Sequence, residues 1–198
     1  QPQGRRGVRV GVSKRFGCNG TMKLRFLPCL LLAASLASPV HAEQMRSGGQ
    51  ARSYTAIVPP GARGLPLVLV LHGNLQQGSD MREHTSWAQA AARQGFAAVF
   101  PDGLNRSWAD LRTAHERGGN SPPAGTDDVA FLLALVDRYV AAGIADPHRV
   151  YVTGVSNGGA MTMTLACQHP ERIAAAASVV MELTPTVAAA CHPARPVP

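Results

Sequence analysis

The sequence predicts an α/β fold with a mainly parallel sheet flanked by helices. Three observations carry this. The runs Leu65–Gly73 ("LPLVLVLHG") and Arg149–Gly154 ("RVYVTG") are apolar almost throughout, as in strands buried on both faces. Between them, Val129, Leu132, Leu133, Val136 and Val140 follow the i, i+3, i+4, i+7 spacing of an amphipathic helix. Strands and helices then alternate along the chain with no internal repeat, the pattern of a parallel sheet with crossover helices.

The elements follow in order. Residues 43–52 are polar and Gly-rich and read as a flexible lead-in. "SYTAIVPPG" alternates loosely and stops at two prolines, which predicts an edge strand. Leu65–Gly73 is the first buried strand. Ser79 to Gln94 reads as one helix, with Met81, Trp87, Ala88 and Ala91 on a shared face and Gly95 as its stop. "FAAVFPDG" (Phe96–Gly103) is the next strand and its loop. Residues 104–126 are polar, rich in Gly and Pro and without periodicity, so they read as a long functional or mobile loop. Asp127 or Asp128 caps the helix that Gly143 ends. "RVYVTG" is a strand, Gly158 to His169 a short helix of small residues, and "RIAAAASVV" a further strand. Asp146-Pro147 and His169-Pro170 punctuate the joins.

The 198 residues carry a formal charge of +7, which on its face suggests a nucleic-acid partner. The distribution removes that suggestion. Arg5, Arg6, Arg9, Lys14, Arg15, Lys23 and Arg25 all precede residue 43, with no acidic residue among them. The 12 basic residues that follow are balanced by all 12 acidic ones. The chain from Met22 reads "MKLRFLPCLLLAASLASPVHAEQ": a basic n-region, an apolar run from Phe26 to Ala37, and the cleavage-type triplet Val40-His41-Ala42. Residues 22–42 thus read as a secretory signal peptide. The run is shorter than the roughly 18–20 apolar residues of a bilayer span, so no stable membrane anchor is expected. Residues 1–21 read as an upstream over-extension and 43–198 as the folded domain. Export implies an oxidising compartment. Cys18 and Cys29 fall in the leader, leaving Cys167 and Cys191, an even number that suits a disulfide. No group of Cys, His or carboxylates has metal-ligand spacing, so no metal and no cofactor are expected.

The chemistry centres on Gly154-Val155-Ser156-Asn157-Gly158, which matches G-x-S-x-G between a strand and a helix. In such an elbow the turn is too sharp for side chains at the flanking glycines. The serine is lifted above the C-terminal edge of the sheet, where ligands of α/β folds bind. Ser156 is the candidate nucleophile. The Asn157 amide, opening the helix, is one candidate oxyanion donor, and the Asn74 amide in "LVLVLHGN" is the other. His72 is better read as shaping that loop than as a base.

"PLVLVLHGN", "GFAAVFPDG", "DDVAFLLALVD", "DPHRVYVTGVSNGGAM" and "RPVP" occur in this order, and together they resemble the secreted esterases of the polyhydroxybutyrate depolymerase family, related to feruloyl and acetylxylan esterases. The likeness covers about residues 50–198. It implies an α/β-hydrolase fold, a Ser-Asp-His triad and hydrolysis of an ester substrate through an acyl-enzyme on Ser156. It also implies an aromatic beside the substrate at Trp108, with packing on the base of its own loop as the alternative. Asn74 departs from the Cys or Ser often found after His-Gly, which matters little where only the amide acts.

The remaining triad members are harder to find. In this fold they follow the serine as acid and then histidine. After Ser156 the acids are Glu171 and Glu182 and the histidines His169 and His192. His169 ends the helix that Ser156 begins, some 20 Å away at about 1.5 Å per residue. His192 precedes "RPVP", which reads as the start of another strand entered from the opposite edge. His84, His115 and His148 read as surface residues. The sequence is therefore expected to be C-terminally incomplete, with the last strands, the acid and the histidine missing. It would be inactive by itself, and a Cys167–Cys191 bridge would staple the frayed end. Two alternatives stay open: a non-catalytic secreted binding protein on a hydrolase scaffold, and a lipase-like or dienelactone-type hydrolase.

Overall fold

The computed structural model describes residues 42–198. The leader, with Cys18 and Cys29, lies outside the described residues. The six strands are β1 (Glu43–Ser47), β2 (Gln50–Ile57), β3 (Leu65–Leu71), β4 (Ala97–Pro101), β5 (Ala145–Val155) and β6 (Ala175–Val179). They form one sheet in the order β1-β2-β4-β3-β5-β6. β1 and β2 are antiparallel to their neighbours, while β4, β3, β5 and β6 run parallel.

The apolar runs have the predicted cause. In β3, Leu67, Leu69 and Leu71 face one core with Val150, Val152, Phe131, Leu135, Met161 and Leu165. Val68 and Val70 face the other, with Met81, Ala91, Ala98 and Phe100. The first core is covered by α4 (Asp128–Ala141) and α5 (Asn157–Gln168), the second by α1 (Gly78–His84) and α2 (Trp87–Gln94). A strand sandwiched this way has no solvent face on which to place polar residues.

Five sequence expectations change. The lead-in is a strand: β1 pairs with β2 across Gly48 and Gly49, whose φ values of 56° and 77° suit a tight hairpin turn. That pairing makes β2 internal, and its two prolines fall beyond its end. The helix expected over Ser79–Gln94 is two. Thr85 is extended (φ −123°, ψ 165°) and its hydroxyl bonds back to the Met81 carbonyl, so a β-branched residue with a competing hydroxyl divides α1 from α2. Residues 104–126 are not a structureless loop. They hold a short 3-10 helix (Leu104–Arg106) and α3 (Ala114–Arg117), whose Thr113 and Glu116 form a reciprocal capping box. The last is α6 (Pro185–Ala190), capped by the Thr184 hydroxyl and anchored by buried Val187, in a stretch where no helix was expected.

The predicted cap of α4 is Asp127, which accepts the Ala130 amide at 2.8 Å. Cys167 and Cys191 form a disulfide with Cα atoms 5.1 Å apart, tying the end of α5 to the end of α6. Past it, the Pro198 carbonyl accepts the Ala176 amide of β6 at 2.8 Å. No described helix is long and apolar enough to cross a membrane, and the described residues contain no metal-ligating cluster.

Candidate active site

The elbow forms because β5 must reverse into α5 within one residue. Ser156 is that residue, exposed, with φ 53° and ψ −117°. L-residues other than Gly, Asn and Asp rarely adopt positive φ, and the strain persists only where the surroundings over-determine it. They do so here. A Cβ on Gly154 would overlap the Gly158 carbonyl, and one on Gly158 would lie 2.5 Å from both the Leu71 and His72 carbonyl oxygens. Only glycines let β5, α5 and the end of β3 come this close. The Ser156 amide is held by the Val179 carbonyl at 2.9 Å, and its own carbonyl accepts the Ala160 amide at 2.9 Å.

The same contact presses the loop after β3 against the elbow. His72 is fully buried. Its Nε2 accepts the Gly103 amide at 2.9 Å, so its Nδ1 carries the proton and donates to the Gly73 carbonyl at 2.7 Å. Burial pushes the His72 pKa below the ordinary histidine value, opposed by the Gly73 hydrogen bond and by Asp102. The imidazole is neutral, with both nitrogens engaged, and it shapes the loop. Asn74, partly buried, accepts the Asn120 amide on its Oδ1 at 3.1 Å, and the next amide, Leu75 N, donates to the Arg106 carbonyl at 2.8 Å. The loop is thereby clasped by the segment that follows β4.

Trp108 is a correction. It is fully buried, its indole Nε1 donates to the His72 carbonyl at 2.9 Å, and its ring centroid lies 4.8 Å from that of His72. It packs on the base of its own loop, beneath Gly103, and offers no face to a substrate. The physical reason is the tight Gly103–Ser107 turn, which folds the indole inward: a Cβ on Gly103 would overlap the Ser107 carbonyl.

Several residues of this region carried no sequence motif. Asp102 accepts the Gly78 amide and the Ser53 hydroxyl, both at 2.7 Å. Asp128, the other candidate cap, is buried. It pairs with buried Arg52 at 2.5 Å and accepts the Ala109 amide at 2.8 Å. Arg52 also lies 3.9 Å above the Phe131 ring. All five non-glycine residues with positive φ among those described are Leu75, Asn105, Arg106, Ser156 and Val180. Each sits in or beside the elbow, the loop after β3, or the segment clasping it. Such clustering marks functional sites.

Among the described residues, no histidine or carboxylate hydrogen-bonds Ser156. His84, His115 and His148 are exposed. His169 pairs with Glu171 at 3.3 Å, and His192 contacts the Ala189 carbonyl at 3.0 Å.

A glycine-flanked serine on a strained strand-to-helix turn, over a parallel sheet covered on both faces, defines the α/β-hydrolase fold. The sequence model described as "Esterase PHB depolymerase" matches residues 52–191. The chain belongs to the Esterase PHB depolymerase family. It is 34% identical over 161 residues to the putative esterase NocK of Nocardia uniformis subsp. tsuyamanensis, covering 79% of this chain and 45% of that protein. It is 35% identical over 121 residues to a poly(3-hydroxybutyrate) depolymerase of Ralstonia pickettii, covering 57% of this chain and 24% of that one. Among solved structures, a thermostable esterase superposes with a TM-score of 0.55 at 25% identity, covering 70% of this chain and 40% of that chain. The chain spans less than half the length of these relatives.

Proposed function

We propose that the chain carries the nucleophile and the oxyanion site of an exported serine carboxylic-ester hydrolase. Ser156 Oγ attacks the ester carbonyl. The tetrahedral oxyanion is received by the backbone amides of Asn157 and Asn74, the alcohol departs, and water later releases the acid from the acyl-serine. The observation that carries this is the exposed Ser156 at φ 53° between two glycines that admit no side chain. The first amides of a helix have no intrahelical partner, so the Asn157 amide is available to developing negative charge. The Cys167–Cys191 bridge and the signal-type leader both favour an oxidising compartment.

Leu75, in the loop after β3, and Val180, next to the Val179 that holds the Ser156 amide, are 59% and 80% exposed and favour an apolar acyl or polymer surface. Within the family's range, polyesters and plant or sugar esters both fit. Because no described imidazole reaches Ser156, residues 1–198 alone should turn over substrate several orders of magnitude more slowly than an enzyme with a complete triad. The test is p-nitrophenyl acetate hydrolysis with mass detection of the acetyl-enzyme. Acetylation should be slow, confined to Ser156 and absent in Ser156→Ala.

That no imidazole among the described residues hydrogen-bonds Ser156 also favours a second reading, a non-catalytic binding protein on this scaffold. Absence of any Ser156 adduct would select it.

A further inference from the structure

Asn157 enters the proposed mechanism only through its backbone amide, yet its side chain is nearly fully buried and hydrogen-bonded through both its oxygen and its nitrogen. Its Oδ1 accepts the Trp108 amide at 2.7 Å. Its Nδ2 donates to the Trp108 carbonyl at 3.2 Å and to Asp110 Oδ2 at 2.7 Å. The Ser107 hydroxyl lies 3.2 Å from Oδ1 and 3.0 Å from the Asn120 carbonyl, with one proton to give. Asp110, itself buried, is fixed from the other side. Arg112 donates Nε to its Oδ1 at 2.9 Å and Nη2 to its Oδ2 at 2.8 Å, the fork geometry that holds a carboxylate plane.

This network spans two places at once. At one end is the residue whose amide follows the nucleophile. At the other, the same 104–120 segment grips the loop after β3, through the Arg106 carbonyl on Leu75 N and through Asn120 on Asn74 Oδ1. Asn105 and Arg106, both at positive φ, turn the chain at the first of those grips.

We propose that the Asn157 side chain and Asp110 are positioning residues that set the orientation of the Asn157 amide relative to the Asn74 amide, so that the 104–120 segment fixes the oxyanion site as one unit. This rests on the esterase reading of the site. The spacing of two donors is then determined by side chains that never touch the substrate. A misplacement of about 1 Å can cost about 100-fold in rate.

Two measurements test the proposal and separate its failure from that of the reading beneath it. The first is residue-resolved amide hydrogen exchange on the full chain, comparing the wild type with Asn157→Ala, Asp110→Ala and Asp110→Asn. Asn157→Ala and Asp110→Ala should speed exchange about tenfold or more at both 104–110 and 73–76, while β3 and β4 keep wild-type protection. Asp110→Asn, which can still accept from Asn157 Nδ2, should lie much closer to wild type. Unchanged exchange at 73–76, or a rise spread evenly over the sheet, would overturn the proposal whatever the chemistry does. The second is fluorophosphonate labelling, resolved into the maximal labelling rate and the reagent affinity. The maximal rate should fall about 10- to 100-fold in Asn157→Ala with affinity retained. Wild-type labelling kinetics in a folded Asn157→Ala would contradict the proposal. Labelling that persists in Ser156→Ala would instead overturn the esterase reading and leave the exchange result to decide the coupling.

Discussion

The elbow and the β6 edge lie side by side and are built on opposite terms. From Asn157 to Leu165 nearly every residue is buried, and the polar side chains among them are all bonded. From Ser178 to Val180 every residue is exposed, and Val179 and Val180 leave 47% and 80% of their surface in solvent. Beside β6, an apolar groove of about 560 Å³ runs between Trp87, Phe96, Tyr151, Ala175 and Ala177. The two regions meet where Ser156 N donates to the Val179 carbonyl and where α5 packs on β6, a Cβ on Gly159 having Ser178 Oγ at 2.9 Å. The tightest backbone approaches around the serine are those of Gly154 and Gly158, beside the end of β3.

Predictions that break this contrast run from large to small. Ser156→Ala should remove all covalent labelling of the elbow peptide, a loss of orders of magnitude, with the melting temperature unchanged or raised as the positive-φ strain is retained by a smaller side chain. Gly158→Ala should be strongly destabilising, by about 3 kcal/mol or more in urea titration, because the new Cβ meets two backbone carbonyls that cannot move independently. Cys167→Ser with Cys191→Ser should cost about 3 kcal/mol by the chain-entropy relation for a bridge spanning 24 residues. Its exchange signature should be confined to 180–198 and β6, leaving 73–76 protected.

The smallest effect concerns pH. His72 is depressed below its unfolded value by burial, so at pH above about 6.5 both states are neutral and its contribution is constant. As the pH falls below that, the unfolded chain takes up a proton that the folded chain refuses. Stability then declines by up to about 1.4 kcal/mol per unit until the folded pKa is reached. Urea midpoints between pH 7.5 and 5.5 should show this slope in the wild type and lose it in His72→Gln.

What the sequence revealed follows the same division. β3, β5, α4 and the elbow were legible because a doubly covered strand and a one-residue turn leave unmistakable patterns: continuous apolar residues, and glycines with no room for a Cβ. The Trp108 position stays open in the sequence because whether an aromatic faces in or out depends on the Gly103–Ser107 turn, which no periodicity encodes. The buried bonding roles of Asp102, Asp110 and Asp128 leave no sequence pattern for a related reason. Each bonds a partner distant in sequence, as Arg52 does across 76 positions to Asp128. β1 was missed because an exposed two-stranded hairpin needs only a Gly-Gly turn and a few tolerant residues.

The most direct measurement of the central claim is peptide-mapped fluorophosphonate labelling of the full chain at neutral pH. The account predicts a slow, single adduct on Ser156, absent from Ser156→Ala. An intact, folded chain that gains no adduct at Ser156, or gains one elsewhere, would contradict it.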